Sequence, residues 1–299
     1  MKSSIFALTL VLSLLIGCGS TNNSTSVQNP HTQAHQNVHN DYIQEEIQKA
    51  ANPDTIPVVN NNFKKIESDD PKATFLNEKW KNGIVFYAIG NEPSWSININ
   101  KNNSALFKSP DGEQFIATSI SKLALIDTKS ITYRSSSAQG EMIITLSKEK
   151  CGDTMSDDSF SYSVSVQIKL KGKKEFDTYK GCGNFVPDPR LNGKWIIVKV
   201  DTLAIDKQQL IKLPELSIDV YKSKVSGNDG CNLFNGQVSF QDDEIIFGMI
   251  AGTMMACPNM DTSSIITKSF VDKKLRFEFK ENLFFYEGKM EVMMLKRAE

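Results

Sequence analysis

From residue 72 onward, apolar and polar residues alternate with a period of two over short runs. Ile84, Phe86 and Ala88 share one face of such a run, and Trp95, Ile97 and Ile99 one face of the next. Ile143 and Leu146 mark a less regular run, while Tyr162, Val164, Val166, Ile168 and Leu170 alternate without a break. This alternation is the mark of strands with one buried face, as antiparallel sheets have. Gly- and Asp-containing turns separate the runs at short intervals, which predicts an all-β barrel or sandwich over residues 72–188.

The pattern resumes beyond the joint Val186-Pro187-Asp188-Pro189-Arg190, whose prolines stiffen the boundary. Trp195, Ile197 and Val200 lie opposite Ile196 and Val198, so a strand apolar on both faces is expected to be central. Leu216, Ile218 and Val220 continue the alternation, as do Val238 with Phe240, Ile245 with Phe247, and Leu275 with Phe277 and Phe279. Leu283 to Tyr286 and Val292 to Leu295 supply the last strands. Asp261 to Lys273 reads as a helix, capped by Asp261 or Thr262 and burying Ile265, Ile266 and Phe270. Residues 189–299 are therefore expected to form a second small antiparallel β domain with one short helix. The joint offers no large apolar pair, so the two domains are expected to fold independently.

The first 71 residues read differently. Met1-Lys2, an apolar run from Ile5 to Ile16 and then Gly17-Cys18 make residues 1–17 a secretory signal, too short to span a bilayer. Leu15-Ile16-Gly17-Cys18 resembles a bacterial lipobox. That resemblance implies cleavage before Cys18, acylation of Cys18 by palmitate-type chains and anchorage to the membrane. Gly19, rather than Asp, after the cysteine resembles outer-membrane sorting, with the protein facing the periplasm. Residues 19–71 are rich in Asn, Ser, Thr and Gln and cannot bury enough apolar surface to fold alone. Residues 18–71 thus read as the lipidated cysteine and a polar tether, with a short helix possible from Asp41 to Ala51.

The chain has 299 residues, enough for about two domains. Its net charge of −1 gives no electrostatic case for nucleic acid. With Cys18 lipidated, four of the five cysteines remain, and in an exported chain four suggest two disulfides. Three pairings are possible; Cys151–Cys182 and Cys231–Cys257 are favoured because each pair then lies inside one domain. The cysteines lack CxxC spacing and no histidine lies near them, which argues against zinc. All three histidines, His31, His35 and His39, sit in the tether. Their spacing of four would align them on a helix face as a metal site, but the Thr, Gln and Asn residues between them make a weak helix, and a solvated tether is expected. No metal or cofactor is expected.

Three motifs mark the first domain: Gly90-Asn91-Glu92-Pro93-Ser94-Trp95, Cys151-Gly152-Asp153-Thr154-Met155-Ser156 and Gly181-Cys182-Gly183. Together they resemble an uncharacterised family of bacterial envelope proteins with a GNEPxW signature. Phe160 and Tyr162 between the two cysteines are more loosely similar to periplasmic lysozyme inhibitors. Asn91, Glu92, Trp95 and Asp153 are the candidate binding residues. Glu92 and Asp153 could pair for acid–base chemistry, but Asn-Glu-Pro also starts a turn, with Pro93 fixing entry to the next strand. Trp95, at the head of a strand, is expected in the core rather than as a ligand platform.

The second domain carries Gly230, Cys231, Asn232, Phe234 and Gly236, then Thr253, Met255, Ala256, Cys257 and Pro258, after an opening Leu191-Asn192-Gly193-Lys194-Trp195. These residues resemble the META (HslJ-like) family. The resemblance implies a β fold, an envelope location and a role in stress tolerance or envelope integrity rather than a reaction. Met254 and Met255 beside Cys257 could be read as copper ligands; adaptable filling of a β core is the better account. From Lys72 onward there is no histidine, which excludes Ser-His-Asp, Cys-His and His-based metal hydrolases there. The expectation is a non-enzymatic envelope lipoprotein that binds an unidentified envelope partner. Two alternatives stand beside it. One is an inhibitor of lysozyme or a protease, acting through Asn91 to Ser94 or Gly152 to Asp158. The other is a scaffold holding an envelope protein at an exposed sheet edge.

Overall fold

A computed structural model describes residues 70–124, 130–152, 159–206, 210–258 and 260–298. Residues 1–69, with the expected signal segment, Cys18, the three histidines and nearly all of the expected tether, lie outside the described residues, as does Asp153. The protein is mainly β, built from two large antiparallel sheets, a two-strand ribbon and two α-helices among the described residues.

Helix α1 (Pro71–Lys81) comes first. The sequence reading missed it, although its start signal is present: Asp70 accepts a hydrogen bond from the Lys72 amide at 2.9 Å, and Pro71 opens the first turn. Then come β1 (Ile84–Asn91), β2 (Ser94–Asn100), β3 (Ala105–Lys108), β4 (Gln114–Ala117), β5 (Ser121–Ala124), β6 (Ser130–Ser137) and β7 (Gly140–Ser147). A two-strand ribbon of β8 (Cys151–Gly152) and β9 (Ser159–Phe160) precedes the long strands β10 (Tyr162–Leu170) and β11 (Asp177–Phe185). Except for the ribbon, these strands form one curled, open sheet in the order β4-β3-β2-β1-β11-β10-β7-β6-β5, a half-barrel. Trp95, Ile97, Ile99, Val164, Val166 and Ile168 fill its concave core, as the alternation predicts. Two positions differ. An irregularity between Ile84 and Phe86 sends Ile84 to the opposite face from Phe86 and Ala88. In β7 the inward residues are Met142, Ile144 and Leu146, with Ile143 turned away.

The second sheet comprises β12 (Gly193–Val200), β13 (Leu203–Ala204), β14 (Glu215–Asp219), β15 (Lys224–Asn228), β16 (Leu233–Gln241), β17 (Glu244–Gly252), β18 (Lys274–Phe279), β19 (Leu283–Glu287) and β20 (Met290–Arg297). β12 pairs with both β14 and β20, which closes eight strands into a barrel and leaves β13 as a short extra strand on β12. Closure removes the sheet edges. It also explains why β12 is apolar: Trp195, Ile197 and Val200 point into the barrel, a bulge between Ile197 and Lys199 bringing Val200 round to the same side. Helix α2 (Met260–Lys268) ends five residues before the predicted Lys273 and buries Ile266, while Phe270 is buried just past its end. Ile265, expected inside, is exposed.

The joint is tighter than its sequence suggests. Val186 and Leu191 are buried, and one apolar cluster runs from Ala73 and Leu76 of α1 through Tyr87, Phe160 and Val186 into the barrel core. The Trp195 indole N–H donates to the Leu191 carbonyl at 2.8 Å. Arg190 forms a two-pronged ion pair with Asp188 and lies over the rings of Trp80 and Phe279, at 5.6 and 4.5 Å. The Tyr221 hydroxyl donates to Asn77 of α1 at 2.9 Å. The described residues accordingly belong to one compact unit.

Candidate functional site

The GNEPxW hairpin is built around Trp95. Residues Asn91 to Ser94 form the exposed turn between β1 and β2, and the Glu92–Pro93 peptide is cis. Trp95 follows at 4% exposure, stacked on Phe107 at 5.8 Å and tilted against Tyr179 at 6.4 Å. Its indole N–H donates to the Lys180 carbonyl at 3.1 Å. The ring lies over Gly90 and Gly181: a Cβ on Gly90 would collide with its Nε1, and one on Gly181 would sit 2.8 Å from its Cζ2 and clash with the Ile89 carbonyl. The motif glycines are thus the floor on which Trp95 packs, so Trp95 is a core residue, as its position at the head of a strand predicts.

The structure brings Asn91, Glu92 and Trp95 into one hairpin, with the first two at the surface and the third beneath them. It does not describe Asp153, so the Glu92 and Asp153 pairing has no geometry here. The neighbouring Cys151–Cys182 disulfide, with Cα atoms 5.5 Å apart, ties the β8–β9 ribbon to β11.

A second constellation lies at one end of the barrel. The Cys231–Cys257 disulfide, with Cα atoms 6.0 Å apart, fixes the segment after β17 to the turn after β15. Both disulfides follow the pairing favoured from domain membership. Asp229, 6% exposed, organises this turn. Its Oδ1 accepts from the amides of Cys231 at 3.0 Å and Asn232 at 2.6 Å, and its Oδ2 accepts from the Thr267 hydroxyl of α2 at 3.1 Å. Asn228 accepts from the Gly230 amide at 3.1 Å. Asn232 reaches the other way, accepting from the Met255 amide at 2.7 Å and the Thr253 hydroxyl at 3.2 Å. One turn thereby holds the end of β15, the segment after β17 and helix α2 together. Asp229 has no part in the motifs read from the sequence; its signal was a charged residue between Asn228 and Gly230 in a turn bordered by Cys231.

Among the described residues there is no group of three or more His, Cys, Asp or Glu side chains placed to hold a metal. Met254 and Met255 do not fill the core as expected; they are exposed, because the backbone of their segment, not its side chains, is tied to Asn232. The Trp95 indole, Asp229 and Asn232 hold backbone, while the 91–94 turn and the methionines around Met254 lie at the surface.

No curated protein matches the chain. Among solved structures it is similar to two proteins studied by NMR. One is 19% identical with a TM-score of 0.31, covering 37% of this chain and 94% of its own. The other, from Burkholderia xenovorans, is likewise 19% identical with a TM-score of 0.31, covering 38% of this chain and 91% of its own. Residues 189–299 match the model of the META domain family. That span contains every strand of the closed barrel and the Asp229 turn, so it is this C-terminal barrel that is similar to the META domain family.

Proposed function

We propose that this protein is a non-enzymatic lipoprotein of the bacterial cell envelope. It is held at the periplasmic face of the outer membrane by acylated Cys18 and serves envelope stress tolerance or integrity by binding another envelope protein. The observation that carries this reading is the pair of disulfides, one in each sheet system, in a chain whose lipobox-like segment ends at Cys18. Disulfides persist in oxidising compartments and are rare in the cytosol. The META match at residues 189–299 fits the same address. A binding role rather than catalysis is supported by a sequence with no histidine beyond residue 71 and by the structural use of Trp95, Asp229 and Asn232. The test is affinity capture from envelope extracts using the full lipidated chain as bait. One dominant partner, lost when the bait is reduced, supports the reading; turnover of an envelope substrate by the purified chain would sink it.

The 91–94 turn favours one other reading. It is exposed, it projects from a hairpin braced by buried Trp95, and such a braced loop suits insertion into the cleft of a hydrolase. A lysozyme turbidity assay separates the two: inhibition abolished by Glu92→Ala would favour an inhibitor, whereas no inhibition leaves the binding of an envelope partner.

A further inference from the structure

Four of the ten methionines fall within twelve residues, at 249, 254, 255 and 260. All four are exposed: Met254 completely, Met249 at 86%, Met260 at 56% and Met255 at 47%. They line the disulfide end of the META barrel, Met249 on β17, Met254 and Met255 on the segment leading to Cys257, and Met260 at the start of α2. Leu233 and Ile265, also exposed, make this end an apolar rim. Met254 and Met255 are exposed because their segment is fixed through its backbone and Cys257 rather than through the methionine side chains: the Met255 amide donates to Asn232, and the Thr253 amide to the Leu233 carbonyl at 2.9 Å. Elsewhere Met142 and Met293 are fully buried in the two cores.

We propose that this end of the barrel is a methionine oxidation site for hydroperoxides, one that takes up oxidising equivalents without loss of the fold. In each step a thioether sulfur attacks one oxygen of the peroxide and the O–O bond breaks. That oxygen becomes the sulfoxide, the sulfur is oxidised by two electrons, and the other oxygen leaves as water, or as an alcohol from an organic peroxide. A sulfoxide on Met254 points into water and costs no burial, whereas one on Met142 or Met293 would place a polar group in a core. Access sets the order of reaction. A buried sulfur reacts only from opened states, populated at roughly one part in a thousand or less in a protein of ordinary stability. Oxidation also changes the character of the rim, from apolar and adaptable to polar, and so would alter whatever that surface contacts.

The test is a time course of the purified full chain in hydrogen peroxide, with peptide mass mapping and a thermal melt at each point. Met249, Met254, Met255 and Met260 should each gain one oxygen while Met142 and Met293 remain thioethers, and the melting midpoint should stay constant. Met290, 69% exposed in the turn between β19 and β20, reports the rate of a solitary exposed thioether within the same sample. A chain with Met249, Met254, Met255 and Met260 all replaced by Leu should melt as the parent does and take up four fewer oxygens. Oxidation of Met142 or Met293 as fast as Met254, or a midpoint that falls in step with oxidation of the four, would overturn the proposal. If the Leu variant fails to fold, the time course on the parent chain still decides.

Discussion

Removal of the Asp229 side chain tests the organisation of the closed barrel's disulfide end. Asp229→Ala deprives the Cys231 amide, the Asn232 amide and the Thr267 hydroxyl of their acceptor in a site that is 6% exposed. A buried donor left without a partner costs about 1–3 kcal/mol. The Thr267 hydroxyl keeps a second acceptor in the Ser263 carbonyl at 3.0 Å, so its loss is small. The two amides dominate, and the expected destabilisation is about 3 kcal/mol, less whatever entering water recovers. For a cooperative unit of this size that corresponds to a fall of roughly 6–12 °C in melting midpoint. Asp229→Asn keeps an acceptor oxygen for the amides and should cost about a third as much. Thr267→Val removes the link to α2 together with the hydroxyl's bond to the Ser263 carbonyl. Combined with Asp229→Ala it should be less than additive, because the two groups share one hydrogen bond. The assay is thermal and urea unfolding by circular dichroism on the oxidised protein. An Asp229→Ala protein within about 0.5 kcal/mol of the parent, the range of an ordinary surface change, would refute the reasoning.

Three further outcomes follow from other parts of the structure. Gly181→Ala pushes a methyl group against Ile89 and Trp95, so unfolding should be easier by about 1–3 kcal/mol, and Trp95 fluorescence should shift as the ring is displaced; an unchanged denaturation curve would mean that the sheet yields freely there. Burial, with the Asp242 carboxylate nearby as the lesser cause, raises the Tyr162 hydroxyl from its ordinary 10 to about 12, and Tyr133 is raised for the same reasons. The unfolded chain therefore loses these protons first; stability should be flat below pH 10 and fall between pH 10 and 12 by up to about 1.4 kcal/mol per pH unit for each tyrosine, with a shallower fall in Tyr162→Phe measured by urea unfolding across that range. A fragment of residues 189–299 should fold as a closed barrel, since β12 and β20 close it and Cys231–Cys257 lies within it, but it should melt below the full chain because Ala73, Leu76 and Val186 no longer cover it; a fragment as stable as the parent would show that this shared cluster contributes nothing.

What the sequence disclosed and what it hid have separate physical causes. Strands such as β10 and β2 bury one face each, so Tyr162 to Ile168 and Trp95 to Ile99 announce themselves by alternation. Ile84 and Val200 depend on local irregularities in pairing, which leave no mark on a period-two pattern. Barrel closure is a pairing of the first and last strands of the domain, and nothing in Trp195 or Leu295 alone specifies it. Helix α1 was hidden by its own sequence, PKATFLNEKWK, which has few apolar residues and buries only Ala73 and Leu76. The tight joint escapes the pattern because one of its links, Arg190 between Trp80 and Phe279, joins residues about 90 to 110 positions apart through a polar side chain that pattern reading assigns to solvent. The candidate residues of the GNEPxW motif were legible as a group, but the role of Gly181 beneath Trp95 required the pairing of β1 with β11.

Membrane attachment through Cys18 is the claim on which the envelope reading stands. The direct measurement is fractionation of cells expressing the full chain or Cys18→Ala, with metabolic palmitate labelling of both. The parent chain should be labelled and sediment with the outer membrane, while Cys18→Ala should be unlabelled and leave that fraction. A Cys18→Ala protein that still sediments with the membrane, or a parent chain that carries no label, would contradict it.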